Sequence, residues 1–166
     1  MTRITRILVP TDFSETADAA LEYAFLLASR FDASVQLLHV LDDPFVTDGF
    51  SPEAYIAEAP TLRTAMLKDA QARLTHRAEA REATVTVTSE VLFGHGAKTI
   101  AEYAAERDAD LIVMGTHGRT GVAHLLLGSV AERLVRIAPC PVLTVRHAAV
   151  KREYPELIYD VEHLPA

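Results

Sequence analysis

Hydrophobic and polar positions along the chain predict alternating strands and helices. Five short, mostly apolar runs are typical of strands: residues 4–10, 35–40, 85–91, 111–114 and 142–145. The run at 111–114 is apolar throughout, as expected of a strand covered on both faces. In contrast, valines alternate with polar residues between 85 and 91, which predicts a half-exposed edge strand.

Four longer stretches between these runs carry apolar residues at helical spacing. The first predicted helix follows Asp12 or Ser14, either of which is a suitable N-cap. Residues 41–60 break the rhythm with prolines and acidic residues and predict a long loop, either a lid or a partner contact. The predicted buried stripes are Ala17, Ala20, Leu21, Ala24, Leu27, Ala28 and Phe31, then Leu62, Met66, Ala70, Leu74 and Ala78, then Ala97, Ile100, Ala101, Ala104 and Ala105, and finally Val130, Leu134, Val135 and Ala138.

This order of elements predicts an α/β fold, a Rossmann-like open five-stranded parallel sheet with helices on both faces. The apolar first and fourth strands suit the centre and the alternating third strand an edge, which is compatible with the order 3-2-1-4-5. In such sheets a ligand binds at the carboxyl ends of the strands, where the strand order reverses. Asp12 after the first strand and Gly115 after the fourth should therefore lie together.

Length and composition narrow the class of protein. The 166 residues suit a single domain with a sizeable core. A formal net charge of −7 argues against a nucleic-acid-binding protein, which needs a basic face. No apolar run is long enough to span a bilayer, and neither a membrane association nor a secretory peptide is expected. Cys140 is the single cysteine, so no internal disulfide can form, and it is expected to pack as a small buried group.

A glycine-rich segment after the fourth strand points to phosphate. Glycines allow backbone N–H groups to turn toward an anion, and Gly128 precedes a predicted helix whose N-terminus favours negative charge. Ser129 and Glu132 also match a capping box, so this helix start could be satisfied without a ligand. Arg119 is the natural charged partner for a phosphate, and His117 could assist. The alternative is a flexible connection that happens to contain glycines.

Several rival chemistries lack their signatures. The stretch from Gly94 to Thr99 does not have Walker-loop spacing, and Gly115, Gly118 and Gly121 do not form a dinucleotide fingerprint. The histidines show no metal-ligand spacing, and no nucleophile elbow is present. The sequence therefore predicts neither a metal site nor catalytic residues.

The spacing Gly115-x2-Gly118-x9-Gly128-Ser129 resembles the nucleotide-binding signature of the universal stress protein family. The flanking MGTHGRTG and PCPVLTVR are similar too. The resemblance implies a family domain over residues 1–146, with residues 147–166 as a C-terminal extension. It further implies a cytoplasmic protein that binds ATP or ADP, with or without Mg²⁺, and forms a homodimer through the strand at 142–145.

The resemblance also assigns roles to individual residues. Asp12 would accept hydrogen bonds from the nucleoside, Val40 would flank the adenine, and Met114 would lie under the base or sugar. The complete set of expected nucleotide-binding residues is Pro10, Thr11, Asp12, Val40, Met114, Gly115, His117, Gly118, Arg119, Gly128, Ser129 and Val130.

Three functional hypotheses follow from these features. The leading one is a regulatory module whose nucleotide occupancy alters a lid, a dimer or a partner surface. The second is a slow ATPase or phosphotransferase, against which no catalytic base or metal-binding acid besides Asp12 is evident. The third is a nucleotide-free protein-interaction module that uses the 41–60 loop and the tail as contact surfaces.

Overall fold

A computed structural model describes residues 3–43, 52–79, 85–116 and 127–146, with the side chains of 52–58 excepted. The described elements alternate as the hydrophobic pattern predicts. The strands are β1 (Arg6–Pro10), β2 (Ser34–Leu41), β3 (Val87–Phe93), β4 (Leu111–Gly115) and β5 (Val142–Val145), and the helices are α1 (Glu15–Phe31), α2 (Pro52–Glu79), α3 (Gly96–Glu106) and α4 (Ser129–Ile137). The predicted C-terminal extension and the middle of the glycine segment, with His117, Gly118 and Arg119, lie outside the described residues.

The five strands form one parallel sheet in the order β3-β2-β1-β4-β5, which confirms the predicted topology. β1 lies in the centre and pairs with β2 on one side and with β4 on the other. Ile7 is opposite Leu111 and Leu8 is opposite Ile112, so residues a hundred positions apart in sequence are neighbours in the sheet. β3, with its alternating pattern, lies at one end of the strand order, as predicted.

Two apolar layers cover the two faces of the sheet, because successive strand residues point to opposite sides. Ile7 and Val9 of β1 face the layer that contains α1 and α2. Leu8, between them, faces the layer that contains α3 and α4, together with Ile112 and Met114 of β4. All three β1 residues are fully buried, so the central strand anchors both halves of the core.

The predicted long loop is wrong in its second half. β2 ends at Leu41, but α2 begins at Pro52, continues through Pro60 and spans 28 residues. Proline is well tolerated at a first helical position, while an internal proline removes one backbone donor and normally marks a helix end.

No helix among the described residues combines the length and apolar character that crossing a bilayer requires.

The predicted apolar stripes are correct in period and partly wrong in phase. In α1 the buried aromatic residue is Phe25, whereas Phe31 is 45% exposed. In α4 the buried residues are Ala131 and Leu134, whereas Val135 is 51% exposed. α4 covers the end of the sheet next to β5, so fewer of its apolar positions find a packing partner.

Candidate functional site

The carboxyl ends of β1 and β4 meet, as the strand order requires. Asp12 follows β1, Gly115 ends β4, and the two strands pair side by side. The first turn of α1 lies directly against Gly115, because a Cβ atom added there would be 2.9 Å from Thr16 Cγ2 and 3.0 Å from its carbonyl carbon. The Asp12 turn and the start of the glycine segment therefore share one edge of the sheet, at the position where ligands bind in such folds.

A network of short-range hydrogen bonds holds the Asp12 turn. The carboxylate Oδ1 of Asp12 accepts from Ser14 N at 3.1 Å and from Ser14 Oγ at 2.6 Å. Ser14 Oγ accepts in turn from Ala17 N at 3.2 Å, so Ser14 is the N-cap of α1. This settles the choice of cap: Asp12 does not cap the helix but orders the residue that does. Its carboxylate is held at the carboxyl edge of the sheet.

The two ends of the glycine segment, residues 115–128, are joined by a hydrogen bond. Gly128 N donates to Thr116 O at 2.7 Å, and Thr116 N donates to Val145 O at 2.9 Å. Thr116 is itself only 3% exposed. The chain thus leaves β4 and returns to the same point before α4 begins. This closure places the N-terminus of α4 at the carboxyl end of β4, the strand that pairs with β1.

The start of α4 corrects the predicted capping box. Gly128, not Ser129, is the N-cap, and its backbone is extended at φ −69° and ψ 154°. Glu132 does not reach back to the helix start: its carboxylate accepts from Arg136 Nη2 at 2.7 Å. With glycine at the N-cap, no cap side chain accepts from the first-turn N–H groups. Ser129 and Val130 are exposed, and their amides are among the first N–H groups of the helix, which have no acceptor within the helix and suit an anion.

The N-terminus of α3 packs against the N-terminus of α4. A Cβ atom on Gly96 would be 3.3 Å from Val130 Cγ2, so the first turns of α3 and α4 are in close contact. Val40 and Met114 belong to the core layer on this face of the sheet, with Met114 buried to 6% exposure. The structure thus brings Val40, Met114 and the first turn of α4 to one face of the carboxyl edge, next to Asp12.

The lack of a side chain at Gly115 has a structural reason that the sequence does not reveal. The sequence predicts a role for Gly115 in wrapping phosphate, yet its contact with Thr16 alone accounts for the missing side chain. Pro10 and Thr11 complete the described part of the predicted set: Pro10 ends β1, and Thr11 is buried with its N–H donated to Leu38 O at 2.9 Å. These two residues anchor the turn to the sheet.

Sequence reasoning missed two residues that shape the turn. Phe13 has a positive φ of 66°, which is uncommon for a bulky side chain. His39 of β2 is buried, and its Nδ1 donates to the carbonyl oxygen of Thr11 at 2.6 Å. Neither residue belongs to a periodic stripe or a motif. The signal in the sequence was the aromatic Phe13 between two polar residues that favour turns, Asp12 and Ser14.

Three other features of the described residues were candidates for a functional site: a cavity, a metal site and the cysteine. A depression of about 490 Å³ lies at the opposite, amino edge of the sheet, lined by Thr5, Asp32 and Ser34 among others. No group of three or more His, Cys, Asp or Glu that could hold a metal occurs in the described ranges. Burial raises the pKa of the Cys140 thiol, which favours the unreactive form.

Comparisons with known proteins agree with this architecture. A sequence model of the universal stress protein family matches residues 3–146. A universal stress protein of Methanocaldococcus jannaschii is 40% identical over 142 residues, which cover 85% of this chain and 81% of the relative.

Two solved structures show the same similarity. The universal stress protein UspA from Lactobacillus plantarum is 30% identical with a TM-score of 0.77, over 88% of this chain and 100% of that one. A universal stress protein solved in complex with cAMP is 26% identical with a TM-score of 0.58, over 87% of this chain and 98% of that one.

Proposed function

The chain belongs to the universal stress protein family, and on that premise we propose that it is a regulatory module that binds ATP or ADP between the ends of β1 and β4. The observation that carries the proposal is the α4 N-terminus, which has a glycine cap and is tied to the carboxyl end of β4, the strand that pairs with β1. The similar structure solved with cAMP supports a ligand of the adenine nucleotide class.

In this proposal each element of the edge contacts a different part of the nucleotide. The amides of Gly128, Ser129 and Val130 bind phosphate oxygens, and the helix dipole adds to their attraction. Arg119, His117 and Gly118 contribute to the phosphate site from outside the described residues. Asp12 accepts hydrogen bonds from the nucleoside, and Val40 and Met114 provide apolar surface for the base. The residues present therefore fit a nucleotide.

We propose binding and not turnover as the main activity. In this proposal Mg²⁺ binds through the phosphate oxygens of the nucleotide, as is usual for this ion. The Asp12 carboxylate, the leading candidate for a base, already accepts two hydrogen bonds from Ser14. We place the protein in the cytoplasm, as for the family it belongs to.

Gly128→Val is the variant that tests this function. The backbone of Gly128 has φ −69° and ψ 154°, which valine adopts without strain, so the variant should fold. Its branched side chain would cover the first-turn amides and exclude the phosphates. We expect ATP affinity, measured by isothermal titration calorimetry, to fall by roughly a hundredfold, about 2.7 kcal/mol.

Ala138→Val provides the matched control. Ala138 is the C-cap of the same helix, with a nearly identical backbone at φ −63° and ψ 141°. This variant should keep the affinity of the unmodified protein. If the unmodified protein binds no adenine nucleotide, or if Gly128→Val binds ATP with unchanged affinity, the proposed function is wrong.

We also propose that the protein forms a homodimer through β5. Among the described strands β5 pairs only with β4, and an unpaired edge is a template for another strand. Apolar side chains are exposed around this edge: Leu143 is 38% exposed and Ile137 of α4 is 45% exposed. The carbonyl groups of Pro141 and Val145 accept hydrogen bonds from β4 and from the residue that follows it. Thr144, which alternates with them, therefore directs its backbone N–H and carbonyl groups to the free side of β5.

Thr144→Pro should therefore weaken the dimer while leaving the β4–β5 ladder intact. The substitution removes one N–H from the free side of β5. We expect the dimer dissociation constant, measured by sedimentation equilibrium, to rise by roughly tenfold or more. Thr144→Val keeps the N–H and should dimerise normally. A dimer of unchanged strength in Thr144→Pro would rule out this interface.

A further inference from the structure

Phe13 lies at the centre of a contact that joins α2 to the Asp12 turn. The Phe13 ring lies 4.3 Å from the His39 ring, centroid to centroid. The guanidinium of Arg73 lies 3.9 Å from the Phe13 ring centroid, and that of Arg77 lies 4.9 Å from it. We call Phe13, His39, Arg73 and Arg77 the Phe13 cluster. Its members come from β2, α2 and the turn after β1, so it links three separate parts of the chain.

The cluster holds the turn in a conformation that the turn's own sequence does not favour. A positive φ is unfavourable for phenylalanine, and it persists only where surrounding contacts impose it. Two hydrogen bonds hold Thr11, two residues before Phe13: Thr11 Oγ1 accepts from Phe13 N at 3.0 Å, and Thr11 O accepts from His39 Nδ1 at 2.6 Å. Phe13 thus lies in the same turn as Asp12 and is its neighbour in the chain, while the Asp12 carboxylate itself is held by Ser14.

α2 supplies the outer half of this contact and is fastened there by charge. Arg77 donates to both carboxylate oxygens of Asp18 in α1, from Nε at 2.7 Å and from Nη2 at 3.1 Å. This bidentate pair fixes the guanidinium plane near the Phe13 ring. Arg73 is more exposed, at 43% for its side chain, and its contact with the ring is chiefly cation–π. α2 is thus connected through Phe13 to the turn that carries Asp12.

We propose that Phe13 is a positioning residue for the nucleotide site and that α2, through Arg73 and Arg77, sets the affinity of that site. The proposal rests on the function proposed above. Asp12 binds the nucleoside only in the turn conformation that the Phe13 cluster holds. Linkage is reciprocal, so a nucleotide that fixes Asp12 also strengthens the contact between Phe13 and α2. Occupancy of the site is thereby transmitted to α2, which packs on the face of the sheet opposite to α4.

Phe13→Asn separates the aromatic contact from the backbone. Asparagine tolerates a positive φ but has no ring for the two arginines to cover, and the substitution changes no charge. We expect adenosine and ATP affinities, measured by calorimetry, to fall together by roughly tenfold. Equal losses for both ligands would locate the defect at the nucleoside end. Phe13→Tyr keeps the ring and should bind both ligands with the affinity of the unmodified protein.

Arg73→Ala tests the contribution of α2 without disturbing the buried part of the turn. We expect adenosine affinity to fall by roughly threefold to tenfold, because the contact between Arg73 and the Phe13 ring is lost. Adenosine is the probe because it is uncharged and does not respond to the lost positive charge. Lys68→Ala is the matched control, because Lys68 is an exposed basic residue on the same helix. It should bind adenosine normally. The thermal midpoint of each free variant shows whether it is folded.

The side-chain N–H resonances of Arg73 and Arg77 provide a readout that simple loss of stability would not move. Saturation with ATP should shift both resonances in the unmodified protein and in Lys68→Ala, but not the Arg77 resonance in Phe13→Asn. If the unmodified protein binds ATP while Phe13→Asn and Arg73→Ala bind as tightly, the inference is wrong and the proposed function survives. If the unmodified protein binds no nucleotide, the proposed function itself fails.

Discussion

Gly115→Val is expected to lower the free energy of unfolding by about 3 kcal/mol, because the end of β4 has no room for a side chain. Even a single Cβ atom would be 2.9 Å from Thr16 Cγ2, 3.0 Å from the Thr16 carbonyl carbon and 3.1 Å from its oxygen. Two of these atoms are backbone, so relief requires α1 to move away from the sheet. In a domain of this size the thermal midpoint should fall by roughly 6–12 °C.

Chemical denaturation measures this effect, and two variants bracket it. Gly115→Ala should cost about 2 kcal/mol, since it meets the same backbone atoms with a smaller group. Ala105→Val adds bulk at an exposed position of α3 and should change stability by no more than about 0.5 kcal/mol. A Gly115→Val protein as stable as the unmodified one would show that α1 does not pack against Gly115.

Asp110→Asn is expected to cost about 2 kcal/mol of stability at neutral pH, after allowance for partial exposure of the carboxylate. Asp110 Oδ2 accepts from Thr5 N at 2.8 Å, from Thr5 Oγ1 at 2.8 Å and from Arg6 N at 2.9 Å. These bonds fasten the start of β4 to the start of β1. They lower the pKa of the carboxyl group below its ordinary value of 3.8, with the Thr5 backbone as the largest cause.

The pH dependence follows from the direction of that pKa shift. A carboxyl whose pKa is lower in the folded than in the unfolded chain stabilises the fold when ionised, and the stabilisation is lost as pH falls through the folded pKa. The difference between the unmodified protein and Asp110→Asn should therefore be full at pH 7 and shrink below about pH 4. Asp108→Asn is the control, since its side chain is 77% exposed. An equal loss in both variants, or a difference that grows in acid, would contradict this account.

The fold could be predicted from the sequence because its signals are local and repeated. The apolar run at 111–114 and the alternation near Val87 distinguish central from edge strands, and the structure confirms both positions. Helix limits were less predictable. Pro60 indicates a break, yet α2 passes through it, because tertiary packing of the later turns sustains a helix that propensity alone would end.

The candidate site was predictable only where residue type and topology agree. Asp12 and Gly115 were expected at adjacent strand ends, and they are there, because a parallel sheet in this order leaves no other arrangement. The contacts of Phe13 with Arg73 and Arg77 depend on where α2 packs, which no pattern in the sequence specifies. Ser129 matched a cap by residue type, but the hydrogen bond from Gly128 to Thr116 moves the helix start by one residue.

Titration of the isotopically labelled protein with ATP, followed by amide NMR, tests the central claim most directly. We expect the amides of Gly128, Ser129 and Val130 to shift together with those of Asp12 and Phe13, along saturation curves with one dissociation constant. The claim would be contradicted if ATP left these five amides unmoved, or if the saturable shifts clustered instead at the amino edge, around Thr5, Ala33 and Val85.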